Sequence, residues 1–466
     1  MSIEAPPRPP ELVTRNGGSG RERSGRRFRR LLYGSIAVFS LLVVALIGAN
    51  LTQGPQLKSA QINLNTSVER AGQRLLLQTN EPLAGVAASH ITITPSAGFT
   101  ASVNASSIDI QFSDILQYDT AYTVTVSDVQ SISAGASSTL AYTFTTPDPT
   151  VNYLAPAADS DGTQTQDAIM SVPLSGGPAV TVYSAPHIRR FVAFATALVV
   201  NTVNDDGTDA LTIVSLTGAA DIPVQVAGPG IVTSLKASLS SNLFGYTFSA
   251  NPSAQYPTPP DLLYAYDLTR GQDYTIPITG TDHEQLSTQN WAFVPNSTSL
   301  VAQAADHTLL LIDTVGERDG TSGATVVTTA DSLNGFIPGT KTLISTSNGS
   351  YTQTDFSKVG TPSTAFTVNS EPARAPIFDS TNSVITINNP TDTPDPATVT
   401  RTTGQTTATL FTATSTMGAI TAACLSPNGK YIAVTTESQQ ISYLNIANTN
   451  TVSTNNGQQP GWCSSN

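Results

Sequence analysis

The chain has 466 residues, which is enough for two or three domains, because a single hydrophobic core stops growing near ~250 to 300 residues. Only 12% of the residues are charged, and Ser, Thr, Ala and Val dominate the long second part, a composition that favours β-structure over helical bundles. The net charge of −12 argues against binding of the main domains to nucleic acid, because the phosphate backbone would be repelled.

The first 30 residues are basic and rich in proline and glycine, with eight arginines against three glutamates. We expect residues 1–30 to be a disordered cytoplasmic tail. The following run Leu31 to Leu51 contains 21 residues without a charge, which as a helix would span a hydrocarbon core of ~30 Å. Arginines before it favour a cytoplasmic N-terminus. The sequence therefore predicts a single-pass transmembrane helix over residues 31–52 and a cell-membrane protein with its bulk extracytoplasmic.

A cleaved secretory signal is the alternative interpretation of the same run. Ile47-Gly48-Ala49 offers a small-residue cleavage site after a basic segment and an apolar segment, although the apolar run is longer than the usual ~7 to 15 residues. The uncleaved anchor is the prediction that we carry forward.

Residues 56–149 show the alternation of apolar and polar residues that is typical of β-strands. The pattern is clearest in "RLLLQTN", "HITITPSAGFTASVN", "SIDIQFSD" and "AYTVTVSD". Strands at roughly ten-residue spacing with polar turns between them predict a small β-sandwich over this range.

Two stretches of this range, "NEPLAG" and "LQYDTAYTVTVSDVQSISAGASSTLAYTFTT", resemble bacterial Ig-like domains of the surface-protein type. Leu116, Thr120 and Tyr122 match the family's Leu-x-Pro-x-Thr-x-Tyr segment, while Tyr118 stands where proline is usual; Phe144-Thr145-Thr146 matches the closing strand. The resemblance implies that Tyr122 forms a tyrosine corner, with its hydroxyl bonded to nearby backbone. It also implies that the domain acts as a stalk or spacer.

After Pro149 the chain becomes repetitive. "QDAIMSVPLSGG" from Gln166 recurs as "TDALTIVSLTGA" from Thr208, 42 residues later, and a second element interleaves with it. The equivalent turn positions of that second element are 43, 41 and 48 residues apart, at Pro295, Pro338, Asp379 and Pro427. A period of ~40 to 50 residues with several strands per unit predicts a β-propeller over residues 150–466.

One copy of the second element, "SPNGKYIAV", resembles the Ser-Pro-Asp-Gly-Lys-Tyr motif of WD-like and lactonase-like propellers, with Asn428 in the usual aspartate position. We expect Asn428-Gly429 to form the turn of a two-strand hairpin, because this pair accepts the positive φ that such a turn needs. The role expected for the motif is structural.

The C-terminus is expected to close the ring. Six inner-strand elements are visible from Phe191 onward, but the first unit lacks one, and "PGWCSSN", Pro460 to Asn466, is the segment predicted to supply it. The fold class is therefore all-β apart from one transmembrane helix, with an Ig-like sandwich and a propeller of seven blades. Cys463 and Cys424 would then lie on neighbouring blades, so we predict a disulfide, with two buried free thiols as the alternative.

Candidates for a functional site are few. Asp159, Asp161 and Asp167 offer oxygen ligands of the kind that Ca²⁺ prefers, although aspartate is also an ordinary turn residue. No other cofactor and no catalytic residue is predicted. Tyr256, Tyr264 and Tyr266 follow or flank a proline-rich insertion and are the predicted rim of a binding surface.

Two functional classes follow. The first is a membrane-anchored extracytoplasmic binding or scaffolding protein, with the propeller as an interaction head on an Ig-like stalk and a protein or a cell-wall glycan as partner. The alternative is a lactonase-like propeller hydrolase with a metal in the central channel. Four scattered histidines and sparse glutamates favour the binding protein, because a propeller metal site needs several inward-facing ligands.

Overall fold

The described chain begins with a helix. The computed structural model describes residues 32–43, 54–132, 136–157, 166–253, 256–270, 275–288, 290–318, 323–358, 360, 362–366, 376–390 and 395–464. Helix α1 covers residues 32–43, about 18 Å at ~1.5 Å per residue, against a hydrocarbon core of ~30 Å. No helix within these ranges is long and apolar enough to cross a membrane.

The prediction of a transmembrane helix over residues 31–52 is therefore wrong, and so is the single-pass membrane location that depended on it. The uncharged run of 21 residues is long enough to span a bilayer as a helix, but the helix that the structure describes covers only residues 32–43. The predicted tail, residues 1–30, lies outside the described residues.

The strands within residues 54–132 and 136–149 form two antiparallel sheets, with strand orders β1-β2-β5-β4 and β3-β6-β7. The strands are β1 Leu57–Gln61, β2 Arg74–Thr79, β3 Ile91–Thr94, β4 Phe99–Asn104, β5 Ser107–Phe112, β6 Ala121–Gln130 and β7 Ser137–Thr145. A short helix α2, Leu64–Ser67, and a 3₁₀ turn, Ala88–His90, connect them. The alternation predicted from the sequence places one face of each strand inward, as with Leu75 and Leu77 of β2.

The rest of the described chain contains seven antiparallel sheets in chain order, numbered here as blades 1 to 7. Blades 1 to 4 consist of β8 Thr150–Ala155, β9 Asp167–Pro173, β10 Val180–Ala185; β11 Ile188–Ala193, β12 Ala197–Val203, β13 Asp209–Ser215, β14 Ile222–Val224; β15 Gly230–Ser238, β16 Leu243–Ala250, β17 Leu262–Asp267, β18 Ile276–Pro277; and β19 Trp291–Phe293, β20 Ser299–Gln303, β21 Thr308–Asp313, β22 Ala324–Thr329.

Blades 5 to 7 follow the same plan. They consist of β23 Ser332–Phe336, β24 Thr342–Ser347, β25 Ser350–Asp355, β26 Thr364–Phe366; β27 Ile377–Ser380, β28 Ser383–Asn388, β29 Thr398–Thr403, β30 Thr406–Thr412; and β31 Ile420–Leu425, β32 Tyr431–Thr436, β33 Gln440–Asn445, β34 Thr451–Asn456. Helix α3, Thr314–Arg318, connects β21 to β22 in blade 4. A 3₁₀ turn, Leu239–Ser241, connects β15 to β16 in blade 3.

The first strands of successive blades touch each other. β11 contacts β15, β15 contacts β19, β19 contacts β23, and β27 contacts β31. These strands are therefore the innermost ones, and the fold is all-β and propeller-like. The inner-strand elements read from the sequence, such as "NWAFVPNSTSLVA", coincide with them.

The C-terminal segment joins the last blade to the first. The backbone of Gln458 exchanges two hydrogen bonds with Leu154 of β8, at 2.8 and 2.7 Å, and fills the inner position beside that strand. The segment predicted as the inner strand differs from expectation, because Gly461–Ser464 forms a 3₁₀ turn. The predicted Cys424–Cys463 disulfide is confirmed and ties this turn to β31.

Candidate functional site

The acidic residues proposed for calcium have another role where the structure describes them. Asp159 and Asp161 lie outside the described residues. The carboxylate of Asp167 accepts one hydrogen bond from the backbone of Ala157 and one from Ile188, both at 2.8 Å. Since Ile188 begins β11, Asp167 fastens blade 1 to blade 2.

Asp209, at the equivalent point of the next repeat, does the same between blades 2 and 3. Its side chain is fully buried and accepts from the backbone of Val232 at 2.8 Å and from Nε of Arg189 at 3.0 Å. Within the described ranges no group of three or more His, Cys, Asp or Glu side chains lies close enough to bind a metal. Calcium binding stays a prediction for the part of the chain that is not described.

The three tyrosines predicted as a binding rim do not share a surface. Tyr256 is 56% exposed, but Tyr264 and Tyr266 are buried. The ring of Tyr264 stacks on Tyr246 and that of Tyr266 stacks on Phe244. Both buried tyrosines lie on β17, a middle strand of blade 3 that neighbouring blades cover on its two faces.

The inner strands of the described ring carry more positive than negative charge. Arg189, Arg190 and Lys236 lie on β11 and β15, and Asp379 is the one carboxylate on the described inner strands. Nζ of Lys236 donates to the backbone oxygen of Trp291 at 2.6 Å and lies 5.4 Å from the centroid of that indole ring. Burial lowers the pKa of Lys236 to about 8. The described inner strands therefore show no cluster of carboxylates of the kind that the hydrolase alternative requires.

The sandwich packs directly on blade 7. The rings of Tyr118 and Tyr431 stack with centroids 5.4 Å apart, and the Tyr431 hydroxyl donates to the backbone oxygen of Tyr118 at 3.0 Å. One hydrophobic cluster runs without interruption from the sandwich core into blades 7 and 1. Burial raises the pKa of Tyr431 to about 12. The sandwich is thus docked on the propeller rather than suspended as a separate stalk.

Two amide side chains add hydrogen bonds across the same junction. Nδ2 of Asn428 donates to the backbone oxygen of Leu116 at 3.3 Å, and Nδ2 of Asn445 donates to Oε1 of Gln117 at 3.2 Å. Oδ1 of Asn428 also accepts from the Ser426 hydroxyl and from the Lys430 backbone within its own turn. Asn428 therefore shapes the hairpin and holds the sandwich.

The sandwich segment that makes these contacts is itself held in place. The backbone N–H of Gln117 donates to the Tyr122 hydroxyl at 3.1 Å, which confirms the predicted tyrosine corner. Burial raises the pKa of Tyr122. This bond positions residues 116–118 toward the propeller.

A cleft lies beside this junction, between the sandwich and one face of blades 5 to 7. Its volume is about 540 Å³, within the range of ~300 to 1,000 Å³ that is usual for small-molecule sites. We call it the interdomain cleft. Its lining consists mainly of strand ends and turns: Ala71, Ser113, Asp114, Ile115, Gln117, Ile337, Pro338, Gly339, Thr340, Thr342, Asp379, Ser380, Thr381, Arg401, Asn428, Gly429, Lys430, Asn445, Ile446 and Ala447.

Asp379 is the most unusual residue of the cleft. Its side chain is only 4% exposed, and Oδ2 lies 2.6 Å from Nη2 of Arg401. Arg401 is held in turn by a hydrogen bond from its Nε to the Ser383 hydroxyl at 3.0 Å. Oδ1 of Asp379 is buried and has no hydrogen-bond partner within the described structure. The Asp379–Arg401 pair is thus a largely buried ion pair at the edge of the cleft.

Sequence reasoning recognised Asp379 only as a turn position in a repeat. The repeat alignment did contain a signal, because Asp379 replaces the proline that stands at 295, 338 and 427. A charged residue at a position that its repeats fill with proline is the kind of departure that marks a site. Arg401 lies on β29, away from any motif, so its pairing with Asp379 was not visible in the sequence.

Comparisons with known proteins assign no family to the chain. No protein-family model matches it, and no curated protein matches its sequence. Among solved structures it is similar to a putative 6-phosphogluconolactonase from Bacteroides fragilis, with 10% identity and a TM-score of 0.41 over 67% of this chain and 96% of that one. It is also similar to apo AztD from Citrobacter koseri, with 12% identity and a TM-score of 0.36 over 72% and 93%.

A third similar structure is the computationally designed Ika8 protein, with 13% identity and a TM-score of 0.39 over 66% of this chain and 88% of that one. At these identities and scores the likenesses assign no activity to the chain. The functional argument therefore depends on the cleft itself.

Proposed function

We propose that this chain is a binding or scaffolding protein, in which an Ig-like sandwich and a propeller form one body and the interdomain cleft receives the ligand. The observation that carries the proposal is the cleft of about 540 Å³, which residues of both domains line. Pockets of ~300 to 1,000 Å³ are usual for small-molecule sites and occur preferentially at domain interfaces.

The charged lining of the cleft supports a polar ligand. Asp114, Lys430 and the Asp379–Arg401 pair, whose Oδ2 and Nη2 atoms lie 2.6 Å apart, are among the lining residues. The docked sandwich supplies the opposite wall, so that both domains contribute to the site.

The expected partners remain a protein or a cell-wall glycan. A polar cleft built from turns suits either, because turns present hydroxyl groups and backbone atoms to a partner. The hydrolase alternative lacks a supporting observation, since the described inner strands carry Arg189, Arg190 and Lys236 and a single carboxylate.

The test uses the full chain and two tryptophan variants. Thr381 is exposed and lines the cleft, so that Thr381→Trp narrows the entrance without removing a buried contact. Thr406, exposed on β30 of the same blade, does not line the cleft, so that Thr406→Trp is the matched control. Each immobilised protein is exposed to solubilised cell-wall fragments and to purified candidate proteins, and retention is measured by surface plasmon resonance.

We expect wild type and Thr406→Trp to retain the same ligand and Thr381→Trp to lose it. Equal retention by all three proteins would contradict the assignment of the cleft. Turnover of lactone substrates by the full chain, abolished by substitution of an inner-strand residue, would support the hydrolase instead.

A further inference from the structure

Several asparagines of the chain are followed directly by glycine, a pair that can react within its own backbone. The backbone nitrogen of the glycine attacks Cγ of the asparagine, and the side-chain amide leaves as ammonia. Water then opens the resulting succinimide ring to an aspartate or an isoaspartate. Glycine favours the attack because it has no side chain and the widest backbone freedom. The pairs within the described residues begin at Asn334, Asn348, Asn428 and Asn456; the pair that begins at Asn16 lies outside them.

The pair Asn428-Gly429 is held on both of its reacting groups. Asn428 is only 3% exposed, and its side chain accepts from the Ser426 hydroxyl and donates to the backbone oxygen of Leu116. The N–H of Gly429, which would have to attack, donates to the backbone oxygen of Ser426 at 2.8 Å. The reaction would therefore require this hairpin to open first.

Two further pairs are each held on one reacting group. Asn456 is exposed, but the N–H of the buried Gly457 donates to the backbone oxygen of Gln439 at 2.6 Å. Asn334 is half-buried within β23, and its Oδ1 accepts from the Thr346 hydroxyl at 2.9 Å. A hydrogen bond must be broken before either pair can reach the geometry of attack.

The pair Asn348-Gly349 is free of such restraints. It forms the two-residue turn between β24 and β25, with φ values of 51° and 72°, as expected for an Asn-Gly hairpin turn. Both residues are exposed, and a side-chain carbon added to Gly349 would meet nothing within 4 Å. No group among the described residues hydrogen-bonds to the Asn348 side chain or to the N–H of Gly349.

We propose that Asn348 is a site of spontaneous deamidation in the folded protein, selected by the fold from among the described Asn-Gly pairs. The reaction consumes one water and releases one ammonia, and it needs no cofactor and no second protein. It replaces a neutral amide with a carboxylate. The isoaspartate product also lengthens the main chain by a methylene group, which the two-residue turn between Ser347 and Ser350 does not accommodate.

This site is independent of the interdomain cleft. β24 begins at Thr342, which lines the cleft, and Asn348 follows the opposite end of the same strand. A negative result at Asn348 would leave the proposed function untouched, and loss of the proposed function would leave this inference untouched.

The experiment follows the reaction in the full chain by mass spectrometry. The protein is incubated in mildly alkaline buffer made with heavy-oxygen water, once folded and once in concentrated urea, and is then digested in ordinary water. Heavy oxygen in a peptide marks deamidation that took place during the incubation and separates it from deamidation during digestion. Asn348→Gln is the matched variant, because glutamine would have to form a larger and less favourable ring.

We expect the peptide that contains Asn348 to convert in the folded chain about tenfold faster than those of Asn334, Asn428 and Asn456, because each of the latter must first break a hydrogen bond. In urea the conversion rates should converge, since the local chemistry of the four pairs is the same. Asn348→Gln should abolish the fast conversion and leave the other peptides unchanged.

Three results would overturn the proposal. The first is a folded chain in which Asn348 stays unmodified while it converts in urea, which would show that the turn itself protects the pair. The second is conversion of the restrained pairs as fast as that of Asn348 in the folded chain. The third is a fourfold difference in favour of Asn348 that persists unchanged in urea, which would assign the selectivity to local sequence and not to the fold.

Discussion

Two junctions hold this molecule together, and they are built in different ways. The ring closure joins blade 7 to blade 1 with backbone hydrogen bonds between Leu154 and Gln458 and with the Cys424–Cys463 disulfide. The sandwich is attached to blade 7 by side chains, through the stacked rings of Tyr118 and Tyr431 and through buried amides. The first junction continues the blade pattern, whereas the second is specific to this pair of domains.

This difference between the two junctions indicates where a ligand site is expected. A closure built on backbone pairing protects the open edges of the ring. A junction built on side chains brings two unrelated surfaces together, and the interdomain cleft forms where they do not fully meet. Sites at domain interfaces are common for this reason.

The ring closure should show the largest effect when it is removed. Deletion of Pro460 to Asn466 removes the disulfide and the buried Trp462, whose ring packs at 5.1 Å on Tyr443. We expect the free energy of unfolding to fall by more than the about 3 to 4 kcal/mol of the disulfide alone. Chemical denaturation of the purified chain measures it.

Cys463→Ser, which removes only the covalent bond, is the control for this deletion. It should fall between wild type and the truncated chain, because Trp462 stays packed on Tyr443. Unchanged stability after the deletion would refute the closure.

The sandwich junction should respond to Tyr118→Ala. The change removes a ring that is 8% exposed and stacks on Tyr431, and we expect a loss of about 3 kcal/mol. The predicted signature is a split of one unfolding transition into two, because the sandwich would unfold apart from the ring. Differential scanning calorimetry shows the split.

Tyr142→Ala provides the matched control. This ring packs on Phe144 inside the sandwich and takes no part in the junction contacts described above. It should lower stability without separating the transitions. A single transition in Tyr118→Ala would show that the ring stack does not couple the domains.

A smaller effect is expected from the Tyr431 hydroxyl. Its pKa, raised by burial to about 12 from an ordinary value of 10.0, means that the folded state holds the proton more tightly than the unfolded state. The stability that this group contributes is therefore fully present below pH 10 and is lost as the pH rises from 10 to about 12.

Tyr431→Phe tests this pH dependence while the ring stack stays in place. At pH 8 the variant should be less stable by about 1 kcal/mol, because the bond to the Tyr118 backbone is lost. The difference from wild type should shrink as the pH approaches 12, in denaturation curves recorded at each pH. A difference that stays constant up to that pH would contradict the assigned cause.

Much of the ring was readable from the sequence because a propeller repeats its pattern. The spacing of Pro295, Pro338 and Pro427 located the hairpins, and the missing first strand located the closure. The prediction was less accurate for the last segment, since Gly461–Ser464 forms a 3₁₀ turn and the pairing residue is Gln458. The two backbone hydrogen bonds between Leu154 and Gln458 pair the C-terminal segment with β8 without a full strand.

The candidate site was not readable for a different reason. Asp379 and Arg401 are 22 positions apart on separate strands, and nothing in a strand pattern says that two such side chains will pair. Tyr264 and Tyr266 were predicted to be part of a binding rim because aromatic residues lie near an insertion there. They are buried instead, since neighbouring blades cover both faces of this middle strand. Side-chain contacts between blades and domains depend on geometry that local patterns do not contain.

The central claim is that the sandwich and the propeller form one body with a ligand cleft between them. The most direct measurement is the distance between spin labels at Ser102→Cys and Thr407→Cys, two exposed positions on the sandwich and on blade 6, in the full chain by pulsed electron spin resonance. We predict a single narrow distance distribution that Tyr118→Ala broadens. A broad distribution in the unsubstituted background would mean that the domains move independently, and the cleft would then not exist as a site.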